Sequence, residues 1–293
     1  MQILVNRERI DFSLEDESSV GEVVDELAEW LRSGRFAITS LDIDEAAFAI
    51  HERAAWEHIG IEDVHELSIE ALPLDIADHA TLIALDEYLG MLSFALERRE
   101  TGALPELAEE LPFVRARIAQ FFPSLLDDDG TLPLLMNTEL GGGRMPTPAT
   151  AEAVLSELAD LRAIIVGRER EYRLPCQELA LTLGQLTASI PSLVEVPVQL
   201  QTGKESAAMQ TIIRLTELLT RVVRLVPLAE QAPDTQDVDL SGVRSFAQDI
   251  GPHLLELKDA LEAQDTVLIG DLLEYEIAPR LERLDELVPE DRE

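Results

Sequence analysis

Cysteine occurs once, at Cys176, and lysine twice, at Lys204 and Lys258. One thiol closes no disulfide within the chain and builds no thiolate metal cluster, which fits a reducing compartment. No unbroken apolar run reaches the ~18 residues that cross a bilayer, and the amino terminus, MQILVNRERI, has no basic region leading into a long apolar stretch. The expectation is an unexported, cytoplasmic protein. Positive charge is also scarce, with 23 Lys and Arg against 58 Asp and Glu and a net charge of −35. Such a field repels nucleic acid phosphates and anionic lipid, so neither a nucleic acid nor a membrane is an expected partner. Chains this charged are often disordered, but 46% of these residues are hydrophobic and periodically placed, so the acid belongs on folded surfaces. Two readings of it stand: adaptation to a high-salt habitat, with arginine favoured by a GC-rich genome, or an acidic face that docks a basic protein partner.

The first 72 residues have a pattern of their own. Gln2–Val5 reads as a strand, Asn6–Arg9 as a tight turn, and Ile10, Phe12 and Leu14 alternate with polar residues as a half-buried second strand does. Ser19 and Glu22 form a capping box, after which Val20, Val23, Val24, Leu27, Trp30 and Leu31 share one helical face that ends at Ser33 and Gly34. Phe36–Ile43 is β-rich, the stretch around Trp56 is irregular or partly helical, and Val64–Leu72 is a last strand before Pro73. The order is strand, strand, helix, strand, excursion, strand.

That order and size resemble the β-grasp fold, the family of ubiquitin and the bacterial sulfur carriers. The resemblance implies a small sheet crossed by one helix, a module used for docking. The carriers act through a free Gly-Gly terminus, whereas this segment ends in Ala71, Leu72 and Pro73 and runs on. Conjugation and sulfur transfer therefore do not carry over.

From about residue 75 the apolar rhythm becomes helical. Leu82, Leu85, Leu89, Leu92 and Leu96 step by three and four, and after a break at Thr101–Pro105 so do Leu107, Leu111, Val114, Ile118 and Phe121. Further helices are marked by Val154 to Ile165, Leu179 to Ile190, Ile212 to Val226, and Leu254 to Leu284. The fold class expected is mainly α with a small α+β amino-terminal domain: a β-grasp-like head over 1–72, then an antiparallel bundle of six or seven helices over 75–293 with a long loop at 127–147. The segment from Leu193 echoes that from Leu254, both reading as bends between helices, with Thr202 and Glu205 as a capping box after the first and Asp265 as the cap after the second.

Candidate chemistry is sparse. His51, His58 and His65 lie seven residues apart, which on a helix is ~10 Å along the axis and too far for one ion, and Glu62 with His65 gives a single Glu-x-x-His where a di-iron bundle needs two. Asp127, Asp128, Asp129 and Gly130 miss the calcium-loop pattern because Leu125 and Met136 fall where carboxylates are required. Neither Gly141–Gly143 nor Gly203–Lys204 carries a phosphate-loop signature, and there is no nucleophile elbow. No metal and no cofactor is expected.

Candidate contacts with an anion or a partner are Arg144 after its glycines, the basic island Arg168, Arg170 and Arg173 around Tyr172, and the acidic cluster of Asp271, Glu274, Tyr275 and Glu276. Arg214, Arg221 and Arg224 form a second island on one helical face. In the long loop, Leu134, Leu135 and Met136 would cap the bundle or engage a partner. The closing segment DLLEYEIAPRLERLDEL is similar in its helix pattern to bacterial bundle assembly factors such as flagellar export chaperones. The expected function is that of a bacterial-type, non-enzymatic protein-interaction protein, an adaptor or assembly factor. The alternative is a small-molecule sensor or enzyme with a carboxylate-lined pocket in the bundle or at a domain interface. Carboxylate beside Arg or His in a concave site would favour the alternative, and a dry bundle core the adaptor.

Overall fold

A computed structural model describes residues 1–12, 17–125, 139–232 and 240–285. The chain divides into two compact units, Met1–Glu169 and Arg170–Glu293. The expected loop residues 127–138, with the Asp127–Gly130 turn and the Leu134–Met136 run, lie outside the described residues, as does Leu14.

Unit one opens on a five-stranded sheet in the order β2-β1-β5-β3-β4, formed by β1 (Gln2–Val5), β2 (Glu8–Arg9), β3 (Phe36–Ile43), β4 (Ala46–Phe48) and β5 (Glu66–Pro73). β1 runs parallel to β5, and the other pairings are antiparallel. Asn6 and Arg7 take φ of 53° and 67°, the left-handed pair that a two-residue hairpin turn requires. The Asn6 amide then acts as an extra strand residue: Nδ2 donates to the Ala71 carbonyl at 3.0 Å and Oδ1 accepts from the Ala71 N–H at 2.8 Å. Helix α1 (Val20–Ser33) lies across one face because Val20, Val23, Val24 and Leu27 recur at helical spacing, while Leu67 and Ile69 recur at strand spacing to meet them. Its capping box is formed as expected, with the Ser19 hydroxyl accepting from the Glu22 N–H and the Glu22 carboxylate accepting from the Ser19 N–H. Hydrogen bonds from the Ser18 N–H and hydroxyl, and then from the Ser19 N–H, hold the Glu22 carboxyl below its ordinary range.

Two details of this region differ from expectation. β2 is only two residues long, with Ile10 adding one further bond to Ile3, and β4 is a strand that the alternation did not reveal. The excursion before β5 is two 3-10 turns, Arg53–Ala55 and Ile61–Asp63, closed over the buried Trp56, whose Nε1 donates to the Ala49 carbonyl.

The sheet leads directly into α2 (Leu74–Arg98), followed by α3 (Leu104–Phe121), a 3-10 turn at Glu139–Gly142 and α4 (Pro148–Arg173). Leu82, Leu85, Leu89, Leu92 and Leu96 are buried on α2, as the spacing predicts. Arg162 on α4 clasps Asp86 on α2 through Nε and Nη2 at 2.8 and 3.2 Å, and His79 meets Glu169 at 2.9 Å. Glu157 shares the inner face of α4 with Val154, Leu158 and Leu161. It is 5% exposed, and among the described residues neither carboxylate oxygen has a hydrogen-bond partner.

Unit two is a closed ring of helices: α5 (Pro175–Gln201), α6 (Glu205–Gln231), α7 (Ser241–Glu262) and a last helix made of α8 (Thr266–Asp271), a π-helical turn (Leu272–Ile277) and α9 (Ala278–Asp285). α5 packs on α6, α6 on α7, α7 on the last helix, and the last helix back on α5. The short α5–α6 and α7–α8 turns make those neighbours antiparallel. The core between them is apolar, built from residues such as Leu183, Leu186, Leu215, Leu219, Ile250 and Leu281. Asp265 caps α8, accepting from the Val267 and Leu268 N–H groups. Thr202 does not cap α6: its hydroxyl donates back to the Val198 and Gln199 carbonyls, so it closes α5, and Gly203 supplies the positive φ of 75° for the turn. Nor are the echoing segments bends, because Leu193–Leu200 lies inside α5 and Leu254–Leu261 inside α7.

α5 is by length and composition apolar enough to cross a membrane, with a mean hydropathy of 1.3 over its best window, although no unbroken apolar run is present. Leu179, Leu183, Leu186, Leu193 and Val196 face the bundle core, whereas Leu181, Val194 and Val198 on the same helix are exposed.

Candidate functional site

Arg170 of the first arginine island and Arg221 and Arg224 of the second converge in unit two, and the carboxylates they hold are the chain's own. Glu171 at the end of α4 and Glu178 in the first turn of α5 are 4% exposed. Arg170 Nη2 lies 2.6 Å from Glu178 Oε1, in ion-pair contact without hydrogen-bond alignment. Arg221 on α6 sits between the acids, with Nη2 donating to Glu178 Oε2 and Nε 3.0 Å from Glu171 Oε1. Arg224, one turn further on, reaches both oxygens of Glu171 at 3.1 to 3.3 Å. Three guanidiniums thus share two buried carboxylates, and planar, multi-donor arginine suits that task where lysine does not. Tyr172 is half-buried and Arg173 exposed on the same helix end.

The remaining sequence candidates separate. Arg168 belongs to unit one, its guanidinium 4.9 Å from the centre of the Phe122 ring. Arg144 is exposed beside Gly142. Its glycines have a steric explanation: Gly143 has φ of 67°, and a Cβ there would lie 2.9 Å from Pro105 Cα. His51 stacks at 4.7 Å on Phe113, His58 is exposed beside Glu57, and His65 precedes β5, so the three lie on no common helix.

Asp271, Glu274, Tyr275 and Glu276 do come together, at the junction of α8 and the π turn. π turns leave backbone groups out of ordinary register and recur at functional sites. Here Arg280 Nη1 donates both to the Glu276 carbonyl at 2.6 Å and to Glu276 Oε2 at 2.7 Å. His253 on α7 faces the same carboxylate, with Nε2 4.0 Å from Glu276 Oε2 and Nδ1 3.7 Å from Glu256. The exposed Tyr275 phenol is pushed up by its hydrogen bond with Glu274. Beside this cluster α7 and α9 frame a cleft of about 280 Å³ lined by Ser245, Phe246, Asp249, Arg280, Arg283 and Leu284 together with Gly242.

Sequence reading missed the cleft and the buried acids. Glu178 was findable, since it stands on the apolar face that carries Thr182 and Leu186 one and two turns on. Asp249, Arg280 and Arg283 had only ordinary surface spacing to mark them.

A small mixed sheet followed by helices is the class the fold defines, and two matches to known families fall on its two parts. Residues 1–73 match the family model described as TP0873 N-terminal domain, and residues 182–287 match a domain of unknown function, DUF8042. The second match spans α6, α7 and the π turn, and so contains the cleft. The chain is similar to an uncharacterised protein of the bacterium Treponema pallidum (strain Nichols), with 26% identity over 199 residues, 67% of this chain and 82% of that protein. No solved structure matches.

Proposed function

We propose that the chain is a cytoplasmic, non-enzymatic protein-interaction protein, an adaptor or assembly factor, whose bundle docks an amphipathic helix of a partner along α6. The observation that carries this reading is a stripe on the outer face of α6. Met209, Ile213 and Val223 are 38%, 52% and 47% exposed, and the exposed Thr216 and Thr220 fall between them. The steps of four, three, four and three residues are those of a helix seam that packs against another helix. Charge sets the stripe apart as well: α6 carries Glu205, Glu217 and Glu230 against Arg214, Arg221 and Arg224, so it is neutral in a chain of net charge −35. Apolar residues exposed in register on a neutral strip mark an interaction surface. The surrounding acid would steer a partner with basic flanks, raising its rate of encounter.

The amino-terminal sheet supports a β-grasp-like docking head. A small sheet with a single helix across one face is what that resemblance implied, and the support for it here is the five-stranded sheet with α1 across it. The chain continues from Pro73 straight into α2, so docking and not conjugation is the role proposed for it.

A crosslinking pull-down from the source cell, comparing the natural protein with an Ile213→Glu, Val223→Glu variant, tests the reading. Both positions are exposed, so the variant keeps its fold. A protein partner captured by the natural chain and reduced at least about tenfold by the variant is expected. No protein partner with the natural chain sinks the adaptor reading. A second reading, a small-molecule sensor, is favoured by the cleft between α7 and α9.

A further inference from the structure

The cleft between α7 and α9 holds opposite charges that do not pair with each other. Across the chain acids outnumber bases 58 to 23, and the nearby Arg170, Arg221, Arg224 and Arg244 each have a carboxylate partner. Arg283 lines the cleft and, among the described residues, has none. Arg280 directs Nη1 at Glu276, which leaves Nε and Nη2 open among the described residues. Among the described residues, Asp249 lines the same cleft with no basic partner within ion-pair distance, and the Ser245 hydroxyl there is likewise uncommitted. Opposite charges that share a cleft without meeting each other leave room for a molecule that meets both.

The register of the two helices orders these groups. His253 and Glu276 lie level across the interface. One turn along, in opposite chain directions, Asp249 comes level with Arg280, and the next turn brings Ser245 and Phe246 level with Arg283 and Leu284. One end of the cleft therefore presents Arg283 with a hydroxyl donor, the other presents the Asp249 carboxylate with Arg280 level with it, and the buried Phe246 and Leu284 give an apolar floor. A volume of about 280 Å³ suits one small metabolite.

We infer that this cleft binds a small zwitterion of the α-amino acid class. Its carboxylate lies with Arg283 and Ser245, its ammonium lies with Asp249, and its side chain covers Phe246 and Leu284. Arginine pairs with a carboxylate through two parallel N–H donors, and the aspartate adds the discrimination against simple anions. This inference rests on the sensor reading and is independent of the α6 stripe.

Ligand-observed saturation-transfer NMR on the full chain tests it, with the twenty proteinogenic amino acids as probes and acetate and inorganic phosphate as single-charge controls. The expected result is that one or more amino acids bind with Kd below about 1 mM, and at least about tenfold tighter than acetate or phosphate. Arg283→Gln and Asp249→Asn each weaken that binding at least about tenfold, while the unfolding midpoint stays at the natural value because both side chains are exposed. Acetate or phosphate binding as tightly as any amino acid overturns the zwitterion and leaves the sensor reading standing. Binding unmoved by both variants overturns the site, and silence from every probe overturns inference and sensor reading together.

Discussion

Glu178 and Glu157 are both buried carboxylates on apolar helical faces, and their surroundings give them opposite behaviour. Glu178 is held by Arg170 and Arg221, so its removal strands the Arg170 guanidinium and leaves Arg221 with Glu171 alone. We predict that Glu178→Gln costs about 3 kcal/mol, read as a lowered urea midpoint with an unchanged slope. Glu157 has no such company among the described residues, and burial pushes its carboxyl up from 4.5 to about 7. Below pH 4.5 both the folded and the unfolded chain hold that proton, and the group does not affect stability. Between 4.5 and 7 the unfolded chain releases it while the fold retains it, so stability falls as pH rises, by about 3 kcal/mol in full above pH 7. A Glu157→Leu variant removes that slope, and the stability difference between variant and natural chain, measured from pH 4 to 8, should grow in the variant's favour over this window. Both residues were legible as polar interruptions of an apolar rhythm. Their environments were not, because Arg221 lies 43 residues from Glu178 and only the fold brings them together.

Helix starts and faces were the most readable elements, since capping and periodicity are local. The Ser19–Glu22 box, the Asp265 cap and the inner faces of α2 and α4 stand where the spacing puts them. Failures arose where tertiary contacts override a local signal. Pro191 and Pro197 are breakers by propensity, yet α5 runs through both, and Thr202 turns its hydroxyl backwards instead of starting α6. The π turn is also a tertiary effect. Ile269, Leu273, Ile277 and Leu281 recur every four residues, which on a 3.6-residue helix drifts off the core, and the wider turn at Leu272–Ile277 keeps all four buried. Gly270 lets α8 approach α5 so closely that a Cβ would stand 3.3 Å from the Pro197 ring. Gly270→Leu is predicted to overpack this crossing and to lower stability by about 2 kcal/mol, seen as a drop in the thermal midpoint. An unchanged midpoint would mean that the crossing is looser than described.

At the scale of the molecule, acid covers a chain whose described residues include an apolar core under α1 and another inside the bundle. A core under α1 that is complete in itself predicts that residues 1–72 expressed alone fold, giving dispersed proton NMR shifts and a cooperative melt. A random-coil spectrum would show that the helices after Pro73 are needed. The net charge of −35 was the first property visible, and its meaning depends on salt. With Debye screening near 10 Å at 0.1 M, surface repulsion is already weakened, so the full chain should unfold cooperatively in dilute buffer. A requirement for molar salt would make the acid a mark of habitat and remove the steering of basic partners. The neutral stripe on α6 does not depend on that outcome. Its most direct test is a photocrosslinking residue placed at Ile213 and, as control, at the exposed Glu282 on α9, in the source cell. The account predicts one protein adduct from position 213 and none from 282; equal labelling at both positions, or no protein adduct at 213, would contradict it.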